Sequence, residues 1–199
     1  MKTIELFDFD RSITDGPIAG IDEAGRGPLA GPVVCACCIM PMDHMIEGVM
    51  DSKKISENKR EKLYETIVKT ALDYSVSVVE NEEIDEINIL NATKKGMFEC
   101  ILKLKIPPEV VLIDAVKIAC DYKVMPIIKG DAKSYNIAAA SIIAKVTRDR
   151  IMRRYDGIYL DYGFAKNKGY GTGEHIEAIK KYGLTQIHRR TFVKNFYHD

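Results

Sequence analysis

Apolar and polar positions succeed one another in patterns that change along the chain, and those changes predict its elements. Residues 4–8 and 17–22 read as short strands, with Ser12, Asp15, Gly16 and Pro17 as the loop between them. Phe7-Asp8-Phe9-Asp10 puts two carboxylates at alternate positions, the pattern of an exposed strand edge. Residues 31–40 are apolar almost throughout and predict a strand covered on both faces. Ser56 can cap a helix over SENKREKLYETIVKTAL, whose Leu63, Tyr64, Ile67, Val68, Ala71 and Leu72 form one stripe. YSVSVV at 74–79 alternates as a half-buried strand does. Residues 82–104 predict one long helix or two broken ones, with Ile84, Ile87, Leu90, Met97, Ile101 and Leu104 facing in. Gly96 weakens that helix slightly and Pro107-Pro108 stops it. VVLIDAV at 110–116 is a short apolar strand ending on Asp114, and KVMPIIKGDAKS repeats the arrangement with Gly130 and Asp131. A helix over roughly 133–154 follows, whose Ala138, Ala139, Ala140, Ser141 and Ala144 suit close packing. A long aromatic and glycine-rich loop then leads to a last helix, TGEHIEAIKKYG, capped by Thr172. This order of elements points to one α/β domain around a mixed sheet.

Composition narrows the class. The 199 residues suffice for a single core, and no apolar run approaches the roughly 18 residues of a membrane span. The N-terminal MKTIELFDFDRS carries acids where a signal peptide needs a basic region, so no membrane association and a cytoplasmic location are expected. Cys35, Cys37, Cys38, Cys100 and Cys120 are odd in number, and three crowd one strand. With no CxxC pair or nearby histidine, buried free thiols are the expectation. Net charge is zero, yet residues 123–194 hold 15 Lys/Arg against 6 Asp/Glu. Lys145, Arg148, Arg150, Arg153 and Arg154 load one helix, and IHRRTFVKNFY adds a basic, aromatic tail. That asymmetry suits a polyanion-binding face, or a solvated helical surface.

The chemistry centres on GIDEAGRGPLAGPVV at 20–34. An apolar strand ends on Asp22 and Glu23, and a Gly25-Arg26-Gly27 turn follows, free of Cβ atoms on both sides of one fixed cation. Asp114 and Asp131 sit at or near the ends of two further strands. Clustered carboxylates repel unless a divalent cation neutralises them, and an oxygen-only set favours Mg2+ or Mn2+ over zinc. Asp131 could instead cap the helix after it. Adjacent strand residues face opposite ways, so Asp22 and Glu23 cannot both enter one site from a regular strand unless it ends or bulges between them. Lys53 and Lys54, just before a helix start, oppose its dipole, and phosphate contact is the alternative reading. GYGTG at 169–173 follows a polar loop, not a strand, which rules out a Rossmann phosphate loop.

These segments resemble the ribonuclease HII family. DEAGRGPLAGP, DSKK, the aspartate of VVLID, KGD, AASIIAKVTRDR, NKGYGT and HRRTF match its motifs in order, from about residue 18 to 192. The resemblance implies a ribonuclease H-like fold: a central mixed five-stranded sheet flanked by helices, with a C-terminal helical extension from about residue 156 to 199 that binds substrate. It implies cleavage of the RNA strand of RNA–DNA hybrids and incision of DNA 5′ of embedded ribonucleotides, leaving 3′-hydroxyl and 5′-phosphate ends. Two metal ions, Mg2+ or Mn2+, would serve the reaction in ribonucleotide removal during replication and repair. Carried over by motif, the metal-binding catalytic carboxylates fall on Asp22, Glu23, Asp114 and Asp131. The ribose-sensing turn falls on Gly25, Arg26 and Gly27 and the junction-reading tyrosine on Tyr170, while Lys53 and Lys54, within the shared DSKK, remain candidate phosphate contacts. A monomer is expected. Ala115 departs from the glycine that many relatives carry after the third aspartate. A hybrid-binding module without catalysis, or another ribonuclease H-like nuclease such as a junction resolvase, are the competing classes.

Overall fold

The computed structural model describes residues 2–114, 116 and 118–197; Ala115 lies outside them. Its elements are helix α1 (Thr3–Arg11), strands β1 (Ile18–Ala24) and β2 (Val33–Ile39), helix α2 (Glu57–Thr70), strand β3 (Asp73–Val79), helix α3 (Asn81–Leu102), strands β4 (Val110–Asp114) and β5 (Lys123–Ile127), and helices α4 (Tyr135–Asp156), α5 (Phe164–Asn167), α6 (Gly173–Tyr182) and α7 (Arg190–Val193). The sheet runs β3-β2-β1-β4-β5. β2 pairs antiparallel with both β1 and β3, whereas β4 pairs parallel with β1 and β5. This is the mixed five-stranded sheet expected, and no described helix is long and apolar enough to cross a membrane.

The strand pleat sorts side chains between two helical layers. Ala36 and Cys38 of β2 face α1, α2 and α4, while Cys35, Cys37 and Ile39 face α3. Covered on both sides, β2 is buried along its whole length. The cysteines are free thiols, four of them buried, as their crowding implied.

The N-terminal strand is corrected: residues 3–11 are helical. Thr3, Leu6, Phe7 and Asp10 are the buried positions, a three-and-four spacing that winds onto one helical face. A strand would have put adjacent Leu6 and Phe7 on opposite sides. Asp8 is exposed, but Asp10 is fully buried, not at a strand edge. Its Oδ2 accepts from the Asn136 backbone N–H (2.8 Å), the Asn136 amide (2.8 Å) and the Ser134 hydroxyl (3.1 Å), tying α1 to the start of α4. Burial nevertheless pushes the Asp10 carboxyl up to about 6.

Other differences are local. Helix α3 breaks at Asn88 (φ 64°), whose side chain accepts from the Leu90 and Asn91 amides, each at 3.1 Å. The restarted helix has a new phase, so Leu90 faces solvent. Leu72 is also exposed, because the α2 stripe ends with the helix at Thr70. Ser56 stands at the start of α2 but makes no side-chain cap. The long loop after α4 is partly ordered by α5, and its Tyr162 and Phe164 rings stack at 5.5 Å inside a third apolar cluster with α6 and the C-terminal segment.

Helix α4 rests directly on β1. A Cβ built on Gly20 would fall inside the backbone of Asn136 and Ile137. Gly20→Ala must therefore push α4 off the sheet, and we expect a loss of at least about 2 kcal/mol of unfolding free energy in urea titration. An unchanged midpoint would contradict this packing.

Candidate active site

Sheet register brings the acids together. Ile21 of β1 pairs with Ile113 of β4 in parallel, so Asp22 follows one strand where Asp114 follows the other. Both share the pleat face of Gly20 and Leu112, towards α4. β1 stays regular through Glu23, which pairs with Cys35. Glu23 therefore stands on the opposite pleat, yet it borders the same cleft as Asp22 at the strand's end. Neither a strand end nor a bulge separates the two. Asp131 lies on a 3-10 turn (Gly130–Ala132), not on a strand end. The Gly130 N–H donates to Asp114 Oδ1 (3.1 Å), which couples that turn to β4. Asp131 does not cap α4; the Ser134 hydroxyl does, accepting from the Ile137 N–H.

The cleft is lined by Asp22, Glu23, the Gly25–Gly27 turn, Ser52, Lys53, Ser141, Lys145 and Tyr170. Lys53 Nζ lies 3.6 Å from Asp131 Oδ2. Lys54 instead points towards Asp51, at 4.0 Å, and is not part of the lining. Arg26 reaches back to Glu23 Oε1 at 3.4 Å, and Glu23 Oε2 is buried with no hydrogen-bond partner among the described residues.

Electrostatics there are adverse to ionised acids. Burial, and then the charges of Glu23, Asp131 and Asp114, hold the Asp22 carboxyl well above the ordinary aspartate range. Burial raises Glu23 too, with Asp114 adding to the rise while Arg26 and Lys53 oppose it. Asp131 is raised by burial, Asp51 and Asp114 against Lys53. Among the described residues, no three Asp, Glu, His or Cys side chains close into a ready cage for a metal ion. Asp22 and Glu23 line the open cleft directly; Asp131 adjoins it through Lys53, and Asp114 stands beside Asp22 on β4 without entering the lining. Every candidate donor is oxygen, and the orphaned Glu23 oxygen has a full lone-pair set to offer, so the set fits a hard divalent cation that keeps water and substrate oxygens in its shell.

Several contributors were not separable in the sequence. Lys145 reads as one more charge on α4; here it is largely buried in the cleft and donates to Asp149 at 2.7 Å. Ser141 lies one turn before it. Arg148 and Arg189, expected on a basic surface, are fully buried. Arg150 pairs with Glu61 (2.7 Å) and Glu65 (2.8 Å), and Arg153 pairs with Glu57 and Glu61, so part of the C-terminal charge surplus is neutralised within the fold.

Behind Tyr170 runs a chain of donors fixed by one backbone amide. The Thr185 N–H donates to His188 Nδ1 (2.9 Å), making that nitrogen an acceptor. The His188 proton then sits on Nε2 and is donated to His175 Nε2 (3.0 Å), and His175 Nδ1–H donates to the Tyr170 carbonyl (2.8 Å). Both rings must be neutral.

A strand meander joined to two parallel strands, helices on both faces, and acids gathered at the ends of the central strands define a ribonuclease H-like protein. The ribonuclease H2 from Pyrococcus horikoshii OT3 superimposes with a TM-score of 0.76 at 32% identity, over 88% of this chain and 93% of that one. The family model described as "Ribonuclease HII" matches residues 19–197. The ribonuclease HII of Acetivibrio thermocellus is 60% identical over 180 residues, covering 90% of this chain and 70% of the relative. That of Clostridioides difficile is 55% identical over 199 residues, covering 98% and 77%. The chain belongs to the ribonuclease HII family, and is thus a hydrolytic endoribonuclease of the ribonuclease H kind, acting on RNA–DNA hybrids.

The histidine pair makes stability pH-dependent. Burial, then His175, depress His188 from 6.5 to about 4, so the native state binds fewer protons than the unfolded chain between those values. Its contribution is complete above about pH 6.5 and is lost as pH falls through about 4, amounting to about 3 kcal/mol. Urea midpoints taken between pH 7.5 and 4.5 should fall less steeply in His188→Asn than in the parent. Parallel curves would contradict the neutral pair.

Proposed function

We propose that this ribonuclease incises duplex DNA 5′ of embedded ribonucleotides, besides cleaving the RNA strand of hybrids, and leaves 3′-hydroxyl and 5′-phosphate ends during ribonucleotide removal. The observation that carries the reading is a single cleft in which a desolvated Asp22, pressed by three other carboxylates, adjoins both the Gly25-Arg26-Gly27 turn and Tyr170. A general phosphodiesterase needs only the first part. An enzyme that must tell one ribose from its deoxy neighbours needs a group aimed at the 2′-hydroxyl as well, the atom that separates RNA from DNA.

Asp22, Glu23, Asp114 and Asp131 would hold the cation, with Glu23 Oε2 and the raised Asp22 having most to gain from it. Two bound Mg2+ or Mn2+ ions would activate water for in-line attack and neutralise charge on the leaving oxygen. The chain's own groups do the rest. Lys53 and Lys145 offer cations to the phosphate backbone, with Lys54 a further candidate outside the cleft. The Gly25-Arg26-Gly27 turn presents main chain to the ribose with no Cβ at Gly27 on the Tyr170 side, and the Tyr170 ring, partly exposed at the cleft, meets the sugar after the junction. We place the whole chain in one catalytic domain whose residues from about 156 to 199 form a substrate-binding extension, acting as a monomer. Supporting this, Gly169 accepts from the Leu29 N–H and Arg189 donates its N–H to the Leu29 carbonyl, each at 2.8 Å, joining extension and turn.

The decisive assay incubates a duplex containing one ribonucleotide with the enzyme, with and without chelator. Metal-dependent nicking on the 5′ side is expected; binding without nicking, or cutting of all-DNA junctions, would overturn the reading. Asp22→Asn and Asp114→Asn should each lower turnover at least about a hundredfold while the circular dichroism spectrum stays native. Near-normal turnover in either would remove that residue from the site. Tyr170→Phe should slow single-ribonucleotide incision by roughly tenfold relative to hybrid cleavage. An unchanged ratio between the two substrates would count against its role.

A further inference from the structure

Two arginines buried behind the cleft have no carboxylate within ion-pair distance among the described residues, and spend their donors on main-chain carbonyls of two loops. Arg189 donates from Nε to Gly31 O (2.9 Å), from Nη1 to Arg26 O (3.0 Å) and from Nη2 to Gly25 O (2.6 Å). Arg148 donates to Pro32 O (2.9 Å), Ala30 O (3.1 Å) and Lys168 O (2.9 Å), and its guanidinium sits 6.0 Å from the centre of the Tyr170 ring. Gly25 has φ +98°, and a Cβ there would collide with the Arg148 side chain, so the glycine both permits the turn's path and admits the arginine behind it.

Burying a guanidinium without a counter-ion is costly, and an apolar side chain of like volume would stabilise such a position better. Six carbonyls held by two rigid forks fix something that apolar packing cannot: the orientation of peptide planes within the 25–27 turn and in residues 30–32 after it, and, through Lys168, the offset of Tyr170 from them. Lysine cannot replace this, because a single ammonium lacks the planar fork.

We propose that Arg189 and Arg148 are positioning residues that set the ribose discrimination of this enzyme, Arg189 by aligning the Gly25-Arg26-Gly27 turn and Arg148 by locking that turn to Tyr170. The inference rests on the proposed reading of the turn as the ribose sensor. Neither arginine touches substrate.

The test compares dissociation constants for a duplex carrying one ribonucleotide and for the same duplex as all DNA, measured with Ca2+ in place of Mg2+. The ratio of the two is independent of the fraction of protein that is folded and active. In the parent enzyme the ratio should favour the ribonucleotide duplex. In Arg189→Lys it should fall by about tenfold or more, since small misplacements of a reading group are amplified strongly, while affinity for the all-DNA duplex is retained. Arg148→Lys, a second variant should the first fold poorly, is expected to lower the ratio in the same direction. A parent ratio near one would sink the reading of the turn itself. A parent preference kept intact in both lysine variants would overturn the positioning role and leave that reading standing.

Discussion

Carboxylates crowded at the end of a buried strand repel one another and have lost much of the water that would screen them. Asp22 stands at the centre of that constraint: burial and three neighbouring acids all push its carboxyl towards the protonated form. A fold selected for stability alone has no use for such an arrangement. Here the surroundings keep it in place. The parallel register of β1 and β4 puts Asp22 beside Asp114, the 3-10 turn hydrogen-bonds Asp131's neighbour to β4, and Lys53 and Arg26 supply only partial compensation from exposed positions. What remains is a negative cleft in which Glu23 Oε2 has no partner among the described residues, suited to a hard cation and a phosphodiester.

The positive charge of the chain is divided by a similar logic. Its exposed part can meet a polyanion, but Arg148 and Arg189 are turned inward onto carbonyls, and burial brings them down to about 10 and about 9, still charged at neutral pH. Arg150 and Arg153 brace α4 against α2 through glutamates. Sequence charge alone therefore overstates the surface available for nucleic acid. The same inward-facing groups bind the segment after α4 to the loop after β1, so that residues far apart in sequence bound one cleft.

Much of this was legible in the sequence because strand periodicity and terminal carboxylates survive in one dimension. β2, β3 and β4 are each announced by their apolar pattern, and Asp22, Glu23 and Asp114 by their place at strand ends. The first helix was misread because it is only nine residues long and its buried face includes a polar Asp10, whose partners Ser134 and Asn136 lie over a hundred positions away. Arg189 was misassigned for the same reason. A basic residue next to aromatics looks alike whether its fork faces phosphate or the carbonyls of Gly25 and Arg26, and only the three-dimensional path decides. Lys145 was one cation among five on its helix until the fold turned it towards the cleft.

The central claim, that the acids are held in mutual repulsion for a divalent ion to relieve, can be read without any substrate. Thermal unfolding of the parent and Asp22→Asn is followed in chelator and in millimolar Mn2+. The account predicts that Asn stabilises the metal-free protein, that Mn2+ raises the parent midpoint, and that the variant loses most of that rise. A destabilised variant together with a parent midpoint indifferent to Mn2+ would contradict it.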